Sequence, residues 1–306
     1  MTEQLFDAQP TGFVDQAITP VRELGAYEAL WADRSTSFKS LAAMFREHPE
    51  CVPSDFVSPA DAEKHAKLAL SAIREAGIRH FGVRIHGAGD YPEQLRQARH
   101  PVELLYFQGD WSLASTRCIA VVGTRNPTPD GERRATKLSQ LFVEAGFTVV
   151  SGLARGIDTI AHRTAIDAKG RTIAVIGTPI TEYYPPENES LQREIADRFL
   201  LISQIPIVRY SQQTYRGNRL FFPERNITMS ALTEGTVIVE ASDTSGTLTQ
   251  AQAALDQGRK LFILESCFRN SAISWPAKFE KLGALRVEEF DDIYQQLAQE
   301  ESAEDR

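Results

Sequence analysis

The sequence predicts an α/β protein with a Rossmann-like, doubly wound and mainly parallel sheet, preceded by a small N-terminal helical domain. Two observations support this fold class. Short apolar runs of strand-like residues alternate with helical patterns from residue 118 onward, which is typical of parallel strands joined by helices. Some of these runs are apolar without alternation, as in Thr172–Gly177, and this indicates strands that are buried on both faces.

Three helices are expected before the sheet begins. Thr19 followed by Pro20 provides an N-cap and a proline at the first helical position. A capping-box-like signal at Ser58 and Asp61 begins the third helix, which stops at Gly77. Apolar residues at helical spacing predict the buried faces of the first two helices: Val21, Leu24, Ala29 and Leu30, then Phe38, Leu41, Ala42 and Phe45.

Strand-like runs then follow one another along the chain. Ile78–His86 and Pro101–Gly109 are extended segments that lead into the main sheet. Further runs rich in apolar or β-branched residues predict its strands: Ile119–Val122, Phe147–Val150, Thr172–Gly177, Phe199–Ser203, Thr236–Glu240, Lys260–Leu264 and Ala284–Val287. Helical patterns lie between them: Gly131–Ala145, Glu189–Arg198 and Ile227–Leu232.

This order divides the 306 residues into three parts. Residues 1–75 are predicted as a small helical, SAM-like module, residues 76–290 as the Rossmann-like domain, and residues 291–306 as an acidic tail. The last twenty residues hold eight acidic residues and one arginine, which is typical of a solvated helix and tail.

The composition argues against several classes of protein. The chain has neither a basic, apolar leader nor an apolar run long enough to cross a membrane, so we expect a cytoplasmic protein without membrane attachment. Cys51, Cys118 and Cys267 lie far apart and the histidines are scattered, which argues against a disulfide framework or a zinc site. We therefore expect no metal and no cofactor.

Two small-residue turns are the first candidates for a binding site. Each turn follows a predicted strand, begins a predicted helix and contains one arginine, so both should present free backbone N–H groups where anions bind. Their residues are Gly123, Thr124 and Arg125, then Ser151, Gly152, Arg155 and Gly156. Neither turn has the glycine pattern of a dinucleotide site or a P-loop. The alternative is that the glycines only allow close helix–strand packing.

The stretch Pro206–Pro223 is predicted as a polar loop with interleaved basic and aromatic residues. Such side chains can stack on bases and contact phosphates of a single strand: Tyr215, Arg216, Arg219 and Phe221. Alternatively, the aromatic residues fill the core. The formal net charge is −8, but residues 116–228 hold 15 Lys and Arg against 11 Asp and Glu, so a locally basic face is permitted.

Five motifs occur in a fixed order: GTRNPTPDG, VVSGLARGIDTIAH, TIAVIGT with YYPPEN, FPERN, and VIVEASDTSGTLTQAQAALDQGRKLFIL. Together with DYPEQL and PVELLYFQGD upstream, they resemble the DNA-processing protein A family, also called DprA or Smf. The resemblance covers roughly residues 68–290. It implies a Rossmann-like domain without demonstrated catalysis that binds single-stranded DNA, dimerises and hands the strand to a RecA-type recombinase.

The resemblance also implies which residues form the binding pocket. By motif, these are Gly123, Thr124, Arg125, Ser151, Gly152, Arg155, Gly156, Arg225, Asn226, Ser245, Gly246 and Thr247. Departures from the family pattern indicate a divergent member. Ile227 stands where the family has a second arginine, Pro179 where it has a second glycine, and Glu265 where it has a proline. No C-terminal winged-helix domain is expected.

Three functions remain open at this point. The leading one is a single-stranded-DNA-binding protein of recombination or natural transformation, which protects the strand and passes it to the recombinase. The alternative, favoured by the missing cation and the negative net charge, is an antitoxin-like or regulatory relative in a phage-defence module that acts through a protein partner. Genomic neighbours, such as an adjacent toxin gene, would separate these two functions.

The third function is an enzyme like the nucleoside-monophosphate phosphoribohydrolases, which requires a carboxylate near the ribose. Glu240 and Asp158 are available. However, Asp158 and His162 lie four residues apart, and we interpret them as a capping and helix-surface pair. We therefore predict that the protein is not an enzyme.

Overall fold

The computed structural model describes residues 18–304, with side chains described to residue 298. Residues 1–17 and 305–306, the outer ends of the predicted helical module and tail, lie outside the described residues. Within that range the strands are β1 (Gly82–Ile85), β2 (Leu104–Gly109), β3 (Cys118–Val122), β4 (Thr148–Ser151), β5 (Arg171–Ile176), β6 (Leu200–Ser203), β7 (Gly235–Ile238), β8 (Lys260–Leu264) and β9 (Leu285–Val287).

The α-helices of the same range lie before and between these strands. They are α1 (Pro20–Leu30), α2 (Phe38–Glu47), α3 (Pro59–Glu75), α4 (Glu93–Arg96), α5 (Pro129–Glu144), α6 (Ile157–Asp167), α7 (Glu189–Arg198), α8 (Ile207–Gln212), α9 (Tyr215–Asn218), α10 (Phe221–Leu232), α11 (Thr247–Asp256), α12 (Glu265–Phe268), α13 (Trp275–Lys281) and α14 (Phe290–Glu304). Each predicted strand segment overlaps one observed strand.

The strands form one sheet across the described residues, in the order β1-β2-β6-β5-β4-β3-β7-β8-β9. All pairs from β6 to β9 in that order are parallel, whereas β1 and β2 add an antiparallel edge. Strands β4 and β7 lie on opposite sides of β3, so the strand order changes direction at β3. Open α/β sheets bind ligands at such switch points. The predicted doubly wound, mainly parallel sheet is confirmed.

Helices cover both faces of the sheet. Alternate side chains of a strand point to opposite faces, and those of β3 enter two hydrophobic clusters. Ile119 and Val121 pack with α5, α6 and α14, whereas Cys118 and Val122 belong to the cluster that includes α7, α10 and α11. All residues of β3, β4, β6 and β7 are buried, as the continuous apolar runs predict.

The N-terminal helices pack directly against the sheet. Tyr27 on α1 donates a hydrogen bond to the Gln204 carbonyl at 2.7 Å. The buried Glu28 carboxylate accepts hydrogen bonds from the Tyr106 hydroxyl at 2.5 Å and from the Ile207 N–H, which begins α8, at 2.7 Å. Burial raises the pKa of Glu28. Helices α1 to α3 therefore share one core with the sheet, and the three-part division of the chain remains a prediction.

The buried face of α1 differs from the predicted one. Val21 is exposed, whereas Ala26 and Tyr27 are buried. The reason is Gly25, where a Cβ would overlap with the Ala62 carbonyl oxygen. This close approach of α3 selects the side of α1 that becomes buried. The predicted apolar face of α2 is confirmed, since Phe38, Leu41, Ala42 and Phe45 are all buried.

The predicted loop Pro206–Pro223 is mostly helical, so that prediction is wrong. Helices α8 and α9 lie within it, and α10 begins at Phe221 rather than at Ile227. Pro223 is in the first turn of α10, where the missing N–H would have no helical partner in any case. Arg225 and Asn226 therefore lie on a helix instead of ending a loop.

The predicted acidic tail is helical almost throughout. Helix α14 spans Phe290–Glu304, and its Ile293 and Leu297 are buried in the cluster that also contains Phe142 of α5. These two residues are four positions apart and so share one helix face. The first part of the segment is thus packed against the domain rather than fully solvated. Across residues 18–304, no helix has both the length and the apolar character of a membrane span.

Candidate functional site

A pocket of about 200 Å³ lies at the carboxyl ends of β3, β4 and β5. We call it the edge pocket. The turns after these strands form one side, and the loop before α7 and the first turns of α10 form the other. Its lining residues are Arg125, Gly152, Ala154, Arg155, Gly177, Thr178, Tyr184, Pro185, Pro186, Glu187, Phe222 and Arg225.

The floor of the edge pocket consists of Gly152 and Arg225, and the buried Asp158, which does not line the pocket, holds the Gly152 backbone. The Arg225 guanidinium is buried and donates hydrogen bonds from Nη1 to the carbonyls of Gly152 at 2.7 Å and Val175 at 2.6 Å. Asp158 accepts from the backbone N–H groups of Gly152 at 3.1 Å and Ala154 at 3.4 Å. A side chain at position 152 would overlap with the guanidinium, so glycine is required there.

Burial dominates the electrostatics of the floor. It lowers the pKa of Arg225 to about 10 and raises the pKa of Asp158, while the attraction between the two groups acts in the opposite direction on each. The charge pair and its backbone partners fix the turn between β4 and α6. Arg225 therefore acts as a structural cation whose side chain also forms part of the pocket wall.

Several backbone N–H groups of the two turns are already occupied, which corrects the prediction that they are free for phosphate. Asp158 takes two of them in the second turn. In the first turn, the Thr124 N–H donates to the Glu240 carbonyl at 2.7 Å, and the Thr128 N–H and hydroxyl donate to the Glu240 carboxylate at 3.2 and 2.8 Å. The glycine pattern did not show that the carboxylates of Asp158, next to the second turn, and of the distant Glu240 lie against these turns.

The rim of the edge pocket consists of Arg125, Arg155 and Glu187. Arg125 is exposed and has no ion-pair partner among the described residues. The Arg155 side chain is 58% exposed, and its Nε lies 3.2 Å from Oε1 of Glu187. Two solvent-facing guanidiniums on one small pocket suit the phosphates of a polyanion.

Four of the predicted phosphate contacts line the edge pocket, namely Arg125, Gly152, Arg155 and Arg225. The others do not line it, and several of them hold the turns together. Thr247 donates to the Gly123 carbonyl at 3.0 Å, and the Asn226 amide donates to the Gly246 carbonyl at 3.4 Å.

Three further predicted contacts also have structural partners. The Ser245 hydroxyl donates to Thr247 Oγ1 at 2.9 Å, and the buried Ser151 hydroxyl donates to the Val121 carbonyl at 2.7 Å. Gly156 has a positive φ of 74°, and a Cβ there would overlap with the Thr124 carbonyl oxygen. The structure thus brings the predicted motifs together, but gives most of them supporting contacts.

The prediction that Phe221 stacks on a bound strand is wrong. Its ring is buried and packs against Trp31 and Phe38 of the N-terminal helices, with centroids 5.9 and 6.0 Å apart. Tyr215 is 66% exposed, and Arg216 and Arg219 are also exposed. Phe221 faces the core because it lies at the start of α10. A stretch interpreted as a loop does not predict which way its side chains point.

Two aromatic rings that were not predicted as site residues line the edge pocket instead. Tyr184 and Phe222 lie with ring centroids 5.6 Å apart, and Arg225 lies 6.0 Å from the Phe222 ring. Two features of the sequence could have indicated these rings. They are the loop motif YYPPEN, which contains Tyr184, and the pair of phenylalanines of which the second begins the motif FPERN.

The predicted surface pair of Asp158 and His162 is also wrong, because both residues are buried. His162 Nδ1 lies 2.7 Å from the Thr172 hydroxyl. That hydroxyl donates to the Val149 carbonyl at 2.7 Å, so it accepts from the imidazole. Burial, with Arg225 adding to it, lowers the pKa of His162 to about 3. The imidazole is therefore neutral, and both Asp158 and Glu240 are engaged by backbone N–H groups.

Comparisons with known proteins agree with these features. The family described as DNA recombination-mediator protein A matches residues 82–298. The chain is 35% identical to DNA processing protein DprA of Bacillus subtilis over 229 residues, which cover 74% of each protein.

Two solved structures are also similar. DprA from Streptococcus pneumoniae has a TM-score of 0.67 at 24% identity, covering 92% of this chain and 98% of that one. DprA from Helicobacter pylori, whose structure is described in terms of its single-stranded DNA binding mode, has a TM-score of 0.61 at 26% identity. That match covers 72% of this chain and 97% of that one.

Proposed function

The chain belongs to the DNA recombination-mediator protein A family, and from this premise we propose that it binds single-stranded DNA at the edge pocket. The observation that carries the proposal is the convergence of two solvent-facing guanidiniums, Arg125 and Arg155, with the aromatic rings of Tyr184 and Phe222. Guanidiniums contact backbone phosphates, and aromatic rings stack on bases without regard to sequence.

The exposed residues of α9 and its C-cap Arg219 extend this surface. Tyr215, Arg216 and Arg219 precede the α10 turn that supplies Phe222 to the pocket. A strand that leaves the pocket along α9 meets one further ring and two further cations. Protein groups of this kind bind a flexible strand by stacking and by displacing condensed counterions.

The proposal has three further parts, which rest on the family. The protein protects the bound strand and passes it to a RecA-type recombinase, it acts as a cytoplasmic homodimer, and it carries out no catalysis. The family description names recombination mediation. The engagement of Asp158 and Glu240 by backbone groups also disfavours a role for either carboxylate in attacking a ribose.

A salt titration with a fluorescent oligothymidylate tests the binding. The logarithm of the association constant should fall linearly with the logarithm of salt concentration, with a slope of roughly −2 to −3.5 for about three to five phosphate contacts. Joint replacement of Arg216 and Arg219 by alanine should flatten the slope by about 0.7 for each phosphate that the variant no longer neutralises. Joint replacement of Arg46 and Arg74, exposed arginines of the N-terminal helices, is the matched control and should leave the slope unchanged.

The salt titration distinguishes a protein that binds DNA from one that acts through a protein partner. A protein that shows no affinity for single strands even at low salt contradicts the proposal. Equal slopes for the variant of Arg216 and Arg219 and its control would show that these two arginines do not contact the strand. Binding at the edge pocket would remain the proposal.

A further inference from the structure

We propose that the carboxylate of Glu187 holds Arg155 in the free protein and competes with a DNA phosphate for that guanidinium, so that it limits the affinity of the edge pocket for a strand. The inference rests on the proposed function, because it concerns how the same pocket binds its ligand. It starts from the only ion pair between two lining residues that the described part of the chain shows at this pocket.

The geometry allows the pair to open. Arg155 Nε and Glu187 Oε1 are 3.2 Å apart, and the two side chains are 58% and 50% exposed. Exposed ion pairs are weak because both ions remain close to water. A phosphate that approaches Arg155 can therefore displace the carboxylate, which a fully buried and desolvated pair would not permit.

The loop that carries Glu187 is fixed against the turn that carries Arg155. The neighbouring Asn188 side chain is buried, and its amide donates hydrogen bonds to the Leu153 carbonyl at 2.9 Å and to the Thr159 hydroxyl at 2.8 Å. Pro185 and Pro186 restrict the backbone on the other side. Glu187 thus faces Arg155 because of the way the loop is attached, rather than by a chance encounter of two long side chains.

The pair weakens one of the two phosphate contacts that the rim offers. A phosphate at Arg155 has to displace Glu187 and then remains close to the released carboxylate, which repels it. A phosphate at Arg125 meets no such competitor among the described residues. Glu187 therefore lowers the affinity of the pocket for a strand without preventing its binding.

Replacement of Glu187 by glutamine tests this assignment, because it removes the charge and keeps the size. Binding of a fluorescent oligothymidylate should become about three- to tenfold tighter at low salt. The salt slope should become steeper by about 0.7, since Arg155 then gains the neutralisation of one more phosphate. Glu189→Gln is the matched control, because Glu189 pairs with Arg193 at 2.9 Å and does not line the pocket. It should bind like the wild type.

The same replacement of Glu187 in an Arg155→Ala protein shows whether the gain in affinity depends on the ion pair between Arg155 and Glu187. In that background, Glu187→Gln should alter affinity no more than Glu189→Gln does. A wild-type affinity for Glu187→Gln overturns the inference while leaving DNA binding intact. An equal gain with and without Arg155 also overturns it, because the effect is then one of long-range charge. If neither the wild type nor any variant binds oligonucleotides at low salt, the proposed function fails and the competitor role fails with it.

Discussion

Arg225 and Arg155 both line the edge pocket, but the first belongs to its floor and the second to its rim. Arg225 is 7% exposed and is held by two backbone carbonyls and by the side chain of Asn226. The Arg155 side chain is 58% exposed and has one carboxylate within ion-pair distance. The same residue type therefore shapes the turns in one place and remains available to a ligand in the other.

The difference separates groups that stabilise this sheet edge from groups that remain accessible to the proposed ligand. Groups of the floor are desolvated and fully engaged, so their removal leaves buried polar partners without hydrogen bonds and costs stability. Groups of the rim keep their contact with water, so their removal costs little stability and affects the ligand instead. Variants of the floor should therefore change the unfolding free energy, whereas variants of the rim should change the affinity for oligonucleotides.

The largest effect is expected beneath the floor, at Gly156. Its φ is 74°, and a Cβ there would overlap with the Thr124 carbonyl oxygen and lie 2.7 Å from the carbonyl carbon of Arg125. A β-branched side chain tolerates neither this backbone angle nor this distance. Gly156→Val should therefore lose more than about 4 kcal/mol of unfolding free energy or fail to fold, as thermal unfolding by circular dichroism would show.

Gly246 provides the control for this prediction. It precedes α11 with a φ of −60°, and a Cβ added there meets nothing within 4 Å. Gly246→Ala should stay within about 0.5 kcal/mol of the wild type. A Gly156→Val protein that melts like the wild type would contradict the close contact between the two turns.

The fold could be predicted from the sequence because its signals are local. Strand β8 was predicted with its observed limits, and the limits of α7 were likewise correct, since apolar runs and helical periodicity depend only on neighbouring residues. The stretch before α10 was mispredicted for the same reason. Its polar composition suggests a loop, but α8 is stabilised by a distant group, the Glu28 carboxylate that accepts from the Ile207 and Val208 N–H groups.

The place of the edge pocket was predictable from the sequence, but the contacts of its residues were not. Small-residue turns after strands mark the sheet edge, and Arg125 and Arg155 were identified on that basis. The sequence does not show that Asp158 and Glu240 engage the backbone N–H groups of these turns. It also does not show that Phe221 points away from the pocket while Phe222 lines it. The Glu240 and Phe221 contacts join distant parts of the chain, whereas the Asp158 contacts are local and depend on the exact path of the turn.

A second pair of variants compares a buried with an exposed aromatic residue near the pocket. Phe221→Ala should lose about 3–5 kcal/mol of unfolding free energy, because it leaves a cavity beside Trp31 and Phe38. Tyr215→Ala should leave the unfolding free energy within about 0.5 kcal/mol of the wild type. It should instead weaken oligonucleotide binding by about 1–3 kcal/mol at all salt concentrations, since stacking releases no counterions.

Chemical denaturation and an anisotropy titration on the same preparations separate these outcomes. The assignment of Tyr215 to the ligand surface is wrong if its variant binds like the wild type. A stable Phe221→Ala protein with reduced affinity would reverse the roles of the two rings.

The smallest expected effects distinguish the two arginines of the rim from each other. Arg125→Ala removes a charge-assisted phosphate contact and should weaken oligonucleotide binding by about 1.5–3 kcal/mol. Arg155→Ala should weaken it less, by a margin of up to about 1 kcal/mol, because the free protein already pairs this guanidinium with Glu187. Thermal unfolding should change little in either variant, since both side chains are exposed.

Arg163→Ala is the matched control for these two variants, because this exposed arginine pairs with Glu194 at 3.0 Å and does not line the pocket. It removes the same charge and should leave the affinity unchanged. Equal losses of affinity at Arg125 and Arg155 would show that the Glu187 pair does not weaken the second phosphate interaction. Wild-type affinity in both rim variants, with unchanged melting, would place DNA binding elsewhere on the protein, because the rim would then contribute to neither binding nor stability.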